Sequence, residues 1–290
     1  MSGSKRSPAM EQFFRMKHAY PDAILFFRMG DFYEMFFEDA VLASDLLEIA
    51  LTSRGNDEHG VPIPMAGVPH HAATGYIARL IQQGQRVAIC EQMEDPSKVK
   101  GVVPREVVRV VTPGLLLDAE TLDARAHNHL VAICAGDGAF GLCVIEFSTT
   151  EVRACRLPGS ADVLAELVRL DAREILLEGD AHALAVGLAT LLPGASIRLL
   201  GDAEREAALA YARAQPILAD AARDGTFGAL VVRACACALK YAQDSQPTAQ
   251  IEVQRIAPYD PGTQLLLDDA AVRNLELVAT LAGERKGSLL

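Results

Sequence analysis

Phe26-Phe27-Arg28-Met29-Gly30-Asp31-Phe32-Tyr33-Glu34 sets two β-prone runs on either side of a Gly-Asp pair. That pattern reads as a tight turn joining two antiparallel strands. Side chains alternate faces along an extended chain, so Phe32 and Glu34 share one face while Tyr33 and Met35 take the other. A ring with a carboxylate beside it admits two readings. Phe32 is either a core residue of the hairpin, or an exposed ring able to wedge into a base step while the carboxylate accepts a hydrogen bond from a displaced base edge.

Outward from that hairpin, residues 7 to 20 read as a helix, with Ser7 as N-cap, Pro8 at the first helical position, and Met10, Phe13 and Phe14 on one face. Pro21 ends it. A second helix, from about Phe36 to Leu47, carries Phe37, Ala40, Val41, Ser44 and Leu47 at helical spacing, which makes Phe36 and Phe37 core residues. Leu51 to Arg54 reads as a short strand, the Pro/Gly-rich Gly60 to Pro69 as a loop, and His70 to Gln83 as a helix. Arg86 to Gln92 and Arg105 to Thr112 are strands, which completes an α/β domain with a mixed sheet.

Pro113-Gly114 marks a composition shift, and the acidic Asp118 to Arg125 reads as a connection. Near His129 a second domain begins with Leu130 to Ala135, Phe140 to Phe147 and Glu151 to Leu157 as three consecutive hairpin strands. Ser160 then caps a helix to Leu170, Glu174 to Leu177 is a strand, and helical patterns alternate with one further strand to about Tyr241. Three hairpin strands followed by βαβ alternation fit a ribonuclease-H-like layout.

Length and charge bound what such a chain can do. The 290 residues suffice for about two domains. Half the residues are hydrophobic and 22% are charged, an ordinary globular composition. No apolar run approaches the ~20 residues of a membrane span, and Met1 to Arg6 lack the apolar core of a signal peptide. Scattered cysteines without a CxxC pair argue against a zinc ribbon and for reduced, buried thiols. A cytoplasmic protein is expected. The net charge of −11 opposes simple phosphate binding, but it is uneven: residues 1–112 hold 12 Lys and Arg against 14 Asp and Glu, the remainder 15 against 24. A nucleic-acid contact therefore belongs in the first part. There Lys98, Lys100, Arg105 and Arg109 face only Glu106, with Arg54 as a further candidate for the DNA backbone. The same residues also read as a solvated loop and edge strand.

Other chemical motifs fail on context. Gly136-Asp137-Gly138-Ala139-Phe140-Gly141 matches GxGxxG, but the strand-like Leu142 to Ile145 follows it, so it reads as a hairpin turn with no helix N-terminus for a phosphate. His127 and His129 lack a third metal ligand at supporting spacing, and His70-His71 reads as part of a helix start. No GxxxxGK[ST], GxSxG or HExxH occurs, so neither a catalytic residue nor a metal ligand is assigned.

The run Arg28 to Glu34, followed by Phe36 and Asp39-Ala40, resembles the mismatch-recognition signature of the MutS family of DNA mismatch repair proteins. Pro62 to His71, Ala88 to Gln92, Arg109 to Gly114 and Arg273 to Leu277 are similar to the same family in the same order. The resemblance implies that Phe32 stacks on a mismatched or unpaired base from the minor groove and that Glu34 hydrogen-bonds that base. Phe36 and Glu38 repeat the spacing but lie outside the match. It also implies a mismatch-recognition domain over residues 1–114, a linker over 115–128, a ribonuclease-H-like connector domain over 129–245, and the start of a helical lever domain over 258–290. That last segment carries Ala271 where a Thr is usual. The implied partners are mismatched duplex DNA, a second copy in the complete protein, and the downstream repair protein MutL docked through the connector. Complete family proteins use ATP and Mg, whereas no cofactor is implied for these residues. Since Leu290 precedes any clamp or nucleotide-binding domain, a fragment without the ATPase is the expectation. A protein-interaction module docking partners through the acidic connector is the alternative, and a small α/β enzyme using the Gly-rich turn is a third reading.

Overall fold

The computed structural model of the chain describes residues 7–57, 59–95, 98–115, 128–223 and 225–263. The expected acidic connection, His127 and the tail from residue 264, with Ala271 and Arg273 to Leu277, lie outside them.

The first domain runs α1 (Pro8–Ala19), β1 (Ile24–Met29), β2 (Phe32–Phe36), α2 (Phe37–Leu47), β3 (Thr52–Asn56), β4 (Pro62–Pro69), α3 (Ala73–Gln82), β5 (Val87–Gln92) and β6 (Arg105–Val111). Its sheet has the order β3-β4-β2-β1-β5-β6, with β1 parallel to β5 and the other neighbours antiparallel. The Ser7 hydroxyl caps α1 by accepting the Met10 N–H at 3.4 Å. Strand alternation sorts β1 cleanly. Ile24 and Phe26 join Tyr33 and Met35 under α2 and α3, while Leu25 and Phe27 join Phe36 under Phe13 and Met16 of α1.

Three local readings are corrected. Gly60 to Pro69 is not a loop but holds β4, which bridges β3 and β2. β2 flanks β4 only from Met65 onward, so Pro62 and Pro64 lie where one side of the strand has no ladder to supply, which is where proline is tolerated. Along α2 the buried positions are Asp39, Ala40, Ala43 and Leu47, while Val41 is exposed. Asp39 is held inside by Lys17 at 2.8 Å and by the Leu25 N–H at 3.0 Å. His70–Ala72 forms a 3-10 turn before α3.

The second domain runs β7 (His129–Gly136), β8 (Ala139–Glu146), β9 (Glu151–Leu157), α4 (Ser160–Arg169), β10 (Glu174–Glu178), α5 (Ala185–Leu191), β11 (Ser196–Leu200), α6 (Asp202–Ala214), α7 (Pro216–Arg223), α8 (Ala229–Asp244) and β12 (Ile256–Pro258). Its order is β11-β10-β7-β8-β9-β12, with β7, β8 and β9 antiparallel and β10, β11 and β12 parallel to their neighbours. Gly159 rather than Ser160 is the N-cap of α4. The GxGxxG segment is the β7–β8 hairpin, closed by Asp137 and Gly138 at φ 51° and 71°. All six cysteines are free and buried, as expected. Tyr259 to Thr263, with a short 3-10 turn at Pro261–Thr263, belongs to a separate unit.

The two sheets are fastened by specific polar contacts. The Glu174 carboxylate, 1% exposed as a residue, accepts from the Thr112 hydroxyl at 2.5 Å, the Gly114 N–H at 3.1 Å and the Tyr241 hydroxyl. A Cβ on Gly114 would come within 2.8 Å of the Glu174 Cβ, so glycine is required at that crossing. Leu115, the first residue of the expected connection, packs in the second domain's core. Asp22 bridges the domains by pairing with Arg86 at 3.2 Å and with Arg198. The Arg198 hydrogen bond, opposed by partial burial, holds the Asp22 carboxyl below the usual range.

Candidate nucleic-acid interface

The β1–β2 hairpin pairs Phe27 with Glu34, Arg28 with Tyr33 and Met29 with Phe32, leaving Gly30-Asp31 as a two-residue turn. Gly30 sits at φ 62°, which glycine adopts without a Cβ penalty. Both strands are buried to within a few residues of the turn and then emerge. Phe32 is 47% exposed, against 4% for Tyr33 and 3% for Phe36. Phe32 is therefore a projecting ring and not a core residue of the hairpin.

The tip is braced from below. The buried Tyr33 donates its hydroxyl to Glu91 on β5, and the Arg28 guanidinium lies 5.5 Å from the Tyr33 ring centre. Burial first, then the Glu91 carboxylate, raises the Tyr33 pKa, so the phenol remains a donor. The Asp31 carbonyl accepts from the His70 N–H at 2.8 Å, tying the turn to the start of the helical segment after β4. Arg105, 5% exposed, donates to the Arg28 carbonyl at 2.7 Å and the Val103 carbonyl at 3.0 Å, and lies 5.0 Å from the Phe27 ring centre. Burial lowers the Arg105 pKa, with Cys90 and Glu34 acting against it. Beneath it, burial pushes the Cys90 thiol up to about 12.

The residues named for DNA thus separate by position. Phe32 and Glu34 share the α1 face of β2, Phe32 at the tip and Glu34 one alternation inward. Arg54 reaches Glu34 from β3, donating to both carboxylate oxygens. The guanidinium of Arg105 is used inside the hairpin base. Lys98 and Lys100 are exposed on the β5–β6 connection, with Lys98 3.7 Å from Asp95. β1 and β5 are parallel, so this connection leaves the sheet at the end where the hairpin turns. The same connection exposes Met93 and Val102, at 46% and 38%. Glu91 was not singled out from sequence, although it lies within Ala88 to Gln92. A carboxylate ending an apolar strand was the available signal.

Two family models match in tandem: MutS domain I over residues 7–120 and MutS domain II over residues 128–255. The chain belongs to the MutS family. It is 48% identical to the DNA mismatch repair protein MutS of Sorangium cellulosum over 99% of its own length and 32% of that relative. The MutS protein of Syntrophobacter fumaroxidans is 43% identical over 99% of the chain and 33% of the relative, and that of Anaeromyxobacter sp. is 44% identical over 98% and 32%. The chain spans about a third of the length of these relatives. The two matched MutS domains correspond to the two α/β sheets described above, and the projecting hairpin belongs to domain I.

Proposed function

We propose that this chain reads mismatched or unpaired bases in duplex DNA by inserting Phe32 from the minor groove while Glu34 accepts a hydrogen bond from the displaced base. The observation that carries this reading is the exposure of Phe32 at a hairpin tip whose other rings are buried and braced. A duplex yields more cheaply where pairing is already weak, so a wedge of this kind discriminates by deformability as well as by shape. Unstacking costs a few kcal/mol, least at a mispaired base. Lys98 and Lys100 supply phosphate contacts at the same end of the sheet, and Arg105 serves by holding the hairpin.

Domain II is the connector in this reading. Its strand order, three antiparallel strands followed by β10 and β11 parallel to β7, supports the ribonuclease-H-like assignment. Among the described residues no group of three or more His, Cys, Asp or Glu could hold a metal ion, and no nuclease chemistry is assigned to it. Docking of MutL on this domain, pairing with a second copy, a cytoplasmic setting, and ATP with Mg in further domains complete the proposal. Exposed Leu199 on β11, at 51%, and Leu191, at 50%, supply apolar surface for docking.

The test is competition of labelled duplex containing one unpaired thymidine against matched duplex, read by anisotropy at low salt. The wild-type chain binds the heteroduplex more tightly, and Phe32→Ala removes the preference. Equal affinity of the wild type for both duplexes overturns the reading.

A further inference from the structure

β3 carries no apolar alternation, and all five of its residues are exposed. Its pairing with β4 slips between Ser53 and Asn56, where Gly55 adopts φ 70°. A bulge of this kind re-aims the side chains beside it. The side chain beside it is Arg54, and its Nη1 donates to both oxygens of Glu34 two strands away. On the intervening β4 the residue opposite Glu34 is Gly67, so no side chain at that position stands beside the carboxylate. The result is asymmetric cover. The Glu34 side chain is 12% exposed and that of Arg54 is 50% exposed. Both oxygens of Glu34 accept from the guanidinium, so a base edge has to compete with Arg54 for them.

We propose that Arg54 is a positioning residue for Glu34, holding its carboxylate paired until a displaced base edge takes it and the guanidinium passes to a phosphate. This rests on the DNA-binding reading above and adds an exchange step to it. A bare carboxylate approaching a phosphate-lined groove is repelled, whereas the paired one approaches neutral. With the Arg54 side open to solvent the ion pair is screened, so a base donor and a phosphate can together displace it. On matched DNA no base edge is offered and the pair persists. After the exchange Arg54 is paired with a phosphate and Glu34 accepts a hydrogen bond from the base edge, and only a mismatched duplex supplies both.

The exchange adds a phosphate contact on heteroduplex that matched duplex lacks. Each neutralised phosphate steepens the dependence of log K on log salt by about 0.9. In the 290-residue chain, the heteroduplex slope should exceed the matched slope by about that amount. Arg54→Met should make the two slopes equal, and Arg54→Lys should restore part of the difference. Glu34→Gln frees Arg54, so it should steepen the matched-duplex slope by a similar amount, and adding Arg54→Met should reverse that. Arg54 is exposed, so melting temperatures serve as the folding control and should stay near wild type. If heteroduplex is preferred but the wild-type slopes are equal, the exchange is wrong. Should Arg54→Met then lower both slopes alike, Arg54 is an ordinary phosphate contact; should it change neither, the pair is only a surface ion pair. If heteroduplex is not preferred at all, it is the underlying reading that falls.

Discussion

Two hairpins in this molecule are each closed by two residues, and they end in opposite circumstances. Gly30-Asp31 joins β1 to β2, and Asp137-Gly138 joins β7 to β8. In the second, both turn residues have positive φ, as a primed turn matched to strand twist requires. Its strands are buried almost to the turn, and α8 lies directly across it, with the Leu230 carbonyl 2.4 Å from where a Cβ on Gly141 would stand. In the first, α1, α2 and α3 cover the strands, and the tip stands clear with Phe32 outward. Turn chemistry selects the connection. Whether the hairpin tip is buried or exposed is decided by what the rest of the chain lays over it.

The largest expected effect tests the covered hairpin. Gly141→Ala places a methyl group against the backbone of Leu230 and Val231, which cannot swing aside as a side chain would. We expect a loss of about 3 kcal/mol in denaturant unfolding, at the upper end for overpacking. Gly138→Ala is the control, since it meets only open space and carries just the positive-φ penalty of about 1 kcal/mol. If the two variants unfold alike, α8 does not press on β8 as described.

A comparable effect belongs to the base of the projecting hairpin. Phe36 is 3% exposed and meets Phe13 edge-on, with ring centres 5.2 Å apart. Phe36→Ala removes that contact and leaves a cavity between β2 and α1, costing about 3 kcal/mol. Thermal melting measures it, and a fall of less than a degree or two would show that α1 does not seal this face.

Most of the fold was legible because burial follows period. The alternation in Phe26 to Glu34 and the runs that form β5, β6 and β7 to β9 declare their faces directly. β4 was hidden because Pro62, Pro64 and Pro69 write a loop signature, and the short reach of β2 along it is what makes Pro62 and Pro64 acceptable. The site was legible in part. The shared face of Phe32 and Glu34 follows from alternation, whereas the exposure of Phe32 depends on where α1 stops covering the sheet. Arg105 opens a strand among other basic residues, and nothing local distinguishes a buried brace from a solvated charge. The partner of Arg54 was beyond sequence reading, since it depends on a bulge and on a strand order that places β4 between β3 and β2.

The smallest expected stability effect carries the sharpest contrast. Phe32 has the same ring as Phe36, lies four residues away on the same strand, and alternates to the same face. With Phe32 at 47% exposure, its truncation gives up little transfer free energy and opens no enclosed cavity. Phe32→Ala should therefore change unfolding free energy by no more than about 0.5 kcal/mol. Discrimination should respond in the opposite sense to stability. Phe32→Ala should bind heteroduplex and matched duplex alike, because base stacking on a ring is worth about 1–3 kcal/mol and is lost with it. The fraction of Phe36→Ala that remains folded should keep its preference. Melting and duplex competition on the two variants decide between ring as wedge and ring as core. A Phe32→Ala protein that melts as low as Phe36→Ala while still preferring heteroduplex would make Phe32 a packing residue and move the reading surface elsewhere on domain I.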